Sequence, residues 1–190
     1  MKATGIVRRI DDLGRVVIPK EIRRTMRIRE GDPLEIYTDR EGEVIFKKYS
    51  PIGELTDFAA QYADSLYKTC NFPVIICDRD SIVACAGISK KENVDRKISP
   101  ELDAAIEARS LYVADEKDLE RDRIYISGDN TNFYATCIMP IFVEGDVIGC
   151  VAAVAPGNAD PASLTTHGTL ETQTKLIQTA ASFLGKQLEA

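Results

Sequence analysis

Residues 1–29 read MKATGIVRRIDDLGRVVIPKEIRRTMRIR, and their charge and their breaks set the terms for the rest of the chain. Nine residues are basic: Lys2, Arg8, Arg9, Arg15, Lys20, Arg23, Arg24, Arg27 and Arg29. Only Asp11, Asp12 and Glu21 are acidic, so the stretch carries +6. The whole chain of 190 residues carries −6, which leaves −12 on the remainder. A basic end on an acidic chain points to a polyanion as that end's partner.

The breaks give the segment its elements. Ala3–Arg9 is expected as a strand, with Gly5 allowing a bend. Asp11–Gly14 is expected as a hinge loop, Gly14 being free to take positive φ. Arg15–Ile18 reads as a second strand, and Pro19 ends it and pre-sets a helix start. Lys20–Ile28 then reads as a short helix. At 100° per residue Ile22 and Met26 share one face and are expected to dock on the strands. Lys20, Arg23, Arg24 and Arg27 fall on the opposite, outward side. Arginine outnumbers lysine seven to two in this stretch. Its planar fork grips a phosphate or a guanine edge bidentately, which points to nucleic acid.

Working outward, Asp32–Thr38 and Glu43–Lys48 read as strands joined by a hairpin turn at Asp39–Gly42. Four short strands and one short helix in about 50 residues bury little surface on their own, so a second copy is the expected remedy. From Lys2 to about Tyr49 the chain resembles the DNA-binding domain of AbrB-type transition-state regulators. That resemblance implies an N-terminal swapped-hairpin domain over residues 1–50, a dimer of two interwoven chains, with double-stranded DNA as partner. It implies that Arg8, Arg9, Arg15, Arg23 and Arg24 contact DNA. Charge and helix geometry add Lys2, Lys20, Arg27 and Arg29.

Ser50-Pro51 marks the boundary, Ser50 as N-cap and Pro51 as first helical residue. A linking helix over 51–70 is expected, with Leu55, Ala59, Tyr62 and Leu66 on one apolar stripe beside Phe58, Ala63 and Tyr67. Strands are expected at Phe72–Cys77 and Ser81–Ala86, and an irregular polar stretch at Gly87–Ile98. A helix follows over Ser99–Arg109, then strands near Leu111–Ala114, Arg123–Ile126, Phe133–Val143 and Asp146–Ala155. Asp115–Arg123 is expected as a charged loop. A final helix is expected over Leu164–Leu188, its stripe built from Leu170, Ile177, Leu184 and Leu188 with Leu176, Ala180, Ala181 and Phe183.

This order predicts an α+β domain over 51–190, with an antiparallel sheet and its first and last helices on one face. It resembles a GAF domain, a small-molecule sensor module. The resemblance implies an unidentified small-molecule ligand rather than a fixed cofactor. Tyr112, Tyr125, Asn130, Asn132, Tyr134 and Cys137 are the candidates for its pocket. The pairing of the two modules in this order resembles transcription regulators of sporulation. That implies an activator or repressor acting on the nucleoid of the developing spore, dimeric through the first domain and tetrameric through the helices bordering the second.

The chain carries no signal-peptide pattern, and its longest apolar run, Val147–Ala155, is too short to span a bilayer. A cytoplasmic protein with no membrane contact is expected. The five cysteines, Cys70, Cys77, Cys85, Cys137 and Cys150, are odd in number and form no C-x-x-C pair. With one histidine, His167, they read as buried apolar residues rather than metal ligands, with Cys70 the first candidate for a reactive thiol. His167 lacks a partner nucleophile motif and reads as a surface residue. Two other classes remain open. Swapped-hairpin domains also occur in antitoxins, which carry a short disordered tail in place of a folded second domain. Some GAF domains are cysteine-dependent methionine-sulfoxide reductases, a reading the scattered cysteines support little.

Overall fold

The computed structural model describes residues 4–115, 118, 121–159 and 169–189. It divides into two compact units, Met1–Tyr49 and Ser50–Ala190.

In the first unit α1 covers Lys20–Thr25, β1 Leu34–Thr38 and β2 Val44–Lys48. Strands β1 and β2 pair antiparallel with Ile36 opposite Phe46, closed by a turn in which Gly42 sits at φ 84°. Asp39 organises that turn, its Oδ1 accepting from the Glu41 and Glu43 amides. Among the described residues, 4–9 and 15–18, expected as strands, form no ladder within the chain. Helix α1 is shorter than expected because Arg27 adopts a left-handed φ of 52°, and the Ile28 amide folds back onto the Arg23 carbonyl. Met26 therefore stands past the helix, 57% exposed, instead of docking as expected.

The unit does not bury its apolar side chains. Among its described residues no Val, Ile, Leu, Met, Phe or Tyr is buried. Ile6, Val7, Ile10, Leu13, Val16, Val17, Met26, Ile36, Tyr37, Val44, Phe46 and Tyr49 are all exposed, Val7 at 89%. At about 25 cal/mol per Å² of apolar surface left in water, such a unit forgoes most of what stabilises a fold.

The second unit is a six-stranded sheet flanked by helices. The expected linking helix divides at Leu55 into α2 (Pro51–Glu54) and α3 (Thr56–Cys70). Ser50 caps α2 by accepting from the Gly53 amide, and its hydroxyl donates to Asp78. Then come β3 (Val74–Asp78) and β4 (Ile82–Ala86). The stretch expected to be irregular holds one helical turn, α4 (Lys90–Asn93). Helix α5 (Pro100–Glu107) begins with Ser99 accepting from the Leu102 amide. Strands β5 (Tyr112–Val113), β6 (Tyr125–Ser127), β7 (Asn130–Val143) and β8 (Asp146–Pro156) follow, and α6 (Thr169–Leu188) closes the chain. His167 and the expected first turn of the last helix lie outside the described residues.

All strand pairs are antiparallel, in the order β4-β3-β8-β7-β5, with β6 also on β7. The central strand β8 is buried on both faces, which is why it reads as an unbroken apolar run. On one face α3 and α6 bury Ala59, Ala63, Leu66, Ile177, Ala180, Ala181 and Leu184 against Val74, Ile76, Cys137, Ile141, Val151 and Ala153. On the other, Ile98, Leu102 and Ile106 pack on Ile75, Cys77, Ile138, Cys150 and Ala152. This is the expected α+β arrangement, with first and last long helices on one face. Among the described residues no helix is long and apolar enough to cross a membrane.

Two glycines set how closely the layers approach. A Cβ on Gly149 would run into the Cys77 carbonyl oxygen and the Ile52 side chain, and one on Gly185 into the Phe142 carbonyl oxygen. The two carbonyl oxygens are backbone atoms, so the backbone itself must move. Gly149→Ala is expected to destabilise the second unit by about 1–3 kcal/mol, the cost of overpacking. Differential scanning calorimetry of the full chain will show this as a lowered transition for that unit, and an unchanged transition will contradict the close approach.

Candidate nucleic-acid interface

The basic residues of the first unit occupy three pieces of backbone. Arg8 and Arg9 are exposed on the segment before the hinge. Arg15 follows the hinge, its side chain 68% exposed. Lys20 and Arg24 are exposed on α1, and Arg27 lies just past it. Arg23 and Arg29 are half-buried, and the Arg23 Nε is buried with no hydrogen-bond partner. Arg23 thus corrects the expectation that its whole side chain faces outward. Lys2 lies outside the described residues.

Two acids beside the basic residues, Asp11 and Asp32, are engaged in internal bonds. Asp11 folds the hinge: its Oδ1 accepts from the Leu13 amide at 3.0 Å and the Arg15 amide at 2.8 Å. Its Oδ2 accepts from Arg15 Nε at 2.8 Å. Those bonds from the Arg15 amide and guanidinium hold the Asp11 carboxyl below its ordinary range. Asp32 accepts from the Arg29 amide at 2.8 Å and lies 3.6 Å from Lys48 Nζ. Lys48 in turn donates to the Arg27 carbonyl, tying β2 to the end of α1. Arg8, Arg9, Arg15, Lys20 and Arg24 are exposed over hinge and helix, where Asp12 and Glu21 are exposed acids.

In the second unit the pocket candidates do not form one group. Tyr112, Tyr125 and Tyr134 meet around Ala114 and Ala155 at one end of the sheet. Tyr134 is fully buried, its Oη has no hydrogen-bond partner, and the Arg123 guanidinium lies 4.5 Å from its ring centre. Burial raises the Tyr134 phenol, with Arg123 acting against it. Burial and the nearby Asp118 carboxylate raise the Tyr112 phenol. Asn130 and Asn132 lie on the same strand as Tyr134, and the Asn130 Oδ1 accepts from the Asn132 amide. Cys137 belongs to the core beneath α3 and α6.

The cysteines behave as apolar residues. Cys77, Cys85, Cys137 and Cys150 are buried and Cys70 is half-buried. Burial raises the thiols of Cys77, Cys85 and Cys137, so each stays protonated at neutral pH. Cys77 and Cys150 stand opposite each other on β3 and β8. Among the described residues no group of three or more His, Cys, Asp or Glu side chains is placed to hold a metal ion.

Comparison with known proteins places this architecture. Residues 54–189 match the family model described as "Stage V sporulation protein T C-terminal, transcription factor". The chain is 50% identical over 189 residues to stage V sporulation protein T of Bacillus subtilis (strain 168), covering 100% of this chain and 99% of that protein. The chain belongs to the stage V sporulation protein T family. It is thus one of a family of sporulation transcription regulators. Residues 7–53 match a second model, "Antidote-toxin recognition MazE, bacterial antitoxin". The first unit is similar to the solution structure of the N-terminal DNA recognition domain of the Bacillus subtilis regulator AbrB. The identity is 63%, over 27% of this chain and 94% of that one, with a TM-score of 0.24. The second unit is similar to the A. aeolicus nlh2 GAF domain in an inactive state. There the identity is 16%, over 74% of this chain and 85% of that one, with a TM-score of 0.49.

Sequence reasoning found the arginines by charge and missed that Arg23 is partly withdrawn and Arg15 tethered. Arg24→Ala is expected to cost about 1–3 kcal/mol of DNA affinity with the fold intact, if its contact is bidentate. Arg23→Ala is expected to cost affinity and some stability together, because its stem is packed. Fluorescence anisotropy beside thermal melts separates the two, and equal behaviour of both variants in both assays will contradict the placement.

Proposed function

We propose that this chain binds double-stranded DNA through its first unit as an interwoven dimer, and so activates or represses sporulation genes. The observation that carries this is the exposed cationic set Arg8, Arg9, Arg15, Lys20 and Arg24 on a unit whose acids Asp11 and Asp32 are already engaged. Phosphate contacts supply much of the affinity, and the Asp11–Gly14 hinge lets the arginines follow the groove. Half-buried Arg23 and Arg29, with Arg27, stand at the edge of this surface, and by charge Lys2 is expected to add to it. The dimer reading draws on the exposed apolar residues: strands from a second copy would pair with residues 4–10 and 15–18 and bury Val7, Val17 and Ile36.

The second unit, acidic and folded, is the regulatory and assembling half. Phe58, Tyr62 and Phe183 stack beside one another across α3 and α6, with centroids 5.5–6.4 Å apart and Phe183 39% exposed. Burying that aromatic patch against its own copy makes the dimer a tetramer. The residues best placed to take a small molecule are Tyr112, Tyr125 and Tyr134, because the Tyr134 phenol is buried without a partner. By family the site of action is the nucleoid of the forespore. An antitoxin reading is weaker, since a folded unit stands where antitoxins carry a disordered toxin-binding tail. A cysteine-dependent reductase reading is weaker still, since four of the five thiols are buried and burial raises those of Cys77, Cys85 and Cys137.

The test is DNA binding by the full chain across a salt series, beside an Arg15→Ala/Arg24→Ala double variant. Each phosphate gripped contributes about 0.9 to the slope of log affinity against log salt. A steep slope that flattens in the variant is expected. No binding at low salt will contradict the proposal.

A further inference from the structure

The hinge carries a device that charge counting does not reveal. Asp11 and Arg15 close the turn from both sides: the Asp11 amide donates to the Arg15 carbonyl at 3.0 Å, and the Gly14 amide donates to the Asp11 carbonyl at 3.0 Å. Within that loop the Asp11 carboxylate spends one oxygen on the Leu13 and Arg15 amides and the other on Arg15 Nε at 2.8 Å. The guanidinium is thus held along one edge while its side chain stays 68% exposed. The bond to Nε occupies one of five N–H donors and leaves the four on the two terminal nitrogens. Those four form the end-on fork that matches a guanine edge or a pair of phosphate oxygens.

We infer that Asp11 is a positioning residue for DNA recognition, orienting the Arg15 fork before DNA arrives and favouring matched sequence over random sequence. This rests on the DNA-binding reading above. The physics has two sides. Fixing a long side chain in advance reduces the ordering cost of binding, and fixing its direction makes the contact depend on what lies opposite. A carboxylate beside the groove also repels phosphate, which weakens binding to any duplex regardless of sequence. Asp11 therefore lowers sequence-independent affinity and protects sequence-dependent affinity, and both effects widen the gap between matched and unmatched DNA. Asp12, next in sequence, makes no such tie and serves as the control for charge alone.

Asp11→Asn separates these roles. The amide oxygen still accepts from the Leu13 and Arg15 backbone, so the turn is retained, while the charged hold on Arg15 Nε is lost. The full chain and its Asp11→Asn and Asp12→Asn variants are titrated against two duplexes at one fixed salt concentration. One duplex is selected from a random pool by the unsubstituted chain, and the other is an unselected random duplex. Asp11→Asn is expected to bind the random duplex more tightly and the selected duplex no better. The ratio of the two affinities then falls about five- to tenfold, within what one bidentate base contact supplies. Asp12→Asn is expected to raise both affinities alike and keep the ratio. An unchanged ratio in Asp11→Asn, or an equal loss on both duplexes, overturns the inference and leaves Asp11 a turn residue only. Failure of the unsubstituted chain to bind either duplex overturns the DNA-binding reading itself, and the inference with it.

Discussion

The first unit cannot bury its own apolar side chains, and most of what the chain does depends on that constraint. The apolar residues along 6–17, and Ile36, Tyr37, Val44 and Phe46 on β1 and β2, are exposed within a single copy. A unit of this size pays the conformational entropy of folding without the burial that offsets it. Completing it with a second copy resolves two problems together. In the proposed dimer the strands' apolar faces would be buried, and two sets of arginines would lie on one body, matched to the two-fold character of a duplex. Folding, assembly and DNA binding of this unit are then one coupled equilibrium, and a change in any of the exposed apolar residues is expected to act on all three.

The second unit obeys the opposite rule. Its sheet is covered on both faces, and its layers approach so closely that Gly149 and Gly185 leave no room for a methyl group. The unit brings negative charge to a DNA-binding chain, which suits a domain that holds copies together and receives a signal better than one that touches DNA. Polar groups in its interior are mostly satisfied: Ser99 bonds the Tyr125 carbonyl and the Leu102 amide, and Asn93 bonds the Ser89 carbonyl. The Tyr134 phenol is an exception, and a buried donor without a partner is an expense that a folded domain seldom carries without use.

Much of this was legible in the sequence. The N-caps Ser50 and Ser99, each followed by proline, marked their helices because the mechanism is local. Turn chemistry at Asp39–Gly42 placed the β1–β2 hairpin for the same reason. The break at Leu55 was not legible, since the apolar stripe runs on across it. The strands expected around Gly5 and Val17 were read from alternation, which signals a face to be buried but not whose chain buries it. Arg23 and Arg24 are alike by charge, and only the packing of α1 tells the half-buried one from the exposed one. The Asp11–Arg15 tie had a signal, a carboxylate and an arginine four residues apart around a glycine turn. A net-charge count cancels those two residues and hides it. Among the pocket candidates, the tyrosines come together because they share the sheet end, whereas alternation along β7 sends Cys137 to the opposite layer from Ile138.

The most direct measurement is hydrogen–deuterium exchange on the full chain at residues 4–10 and 15–18. These segments form no ladder within one copy. Pairing with a second copy predicts slow exchange of their amides, becoming fast as the protein is diluted below its association constant while β3, β7 and β8 stay protected. Fast exchange of these segments at the concentrations where the chain binds DNA would contradict the account.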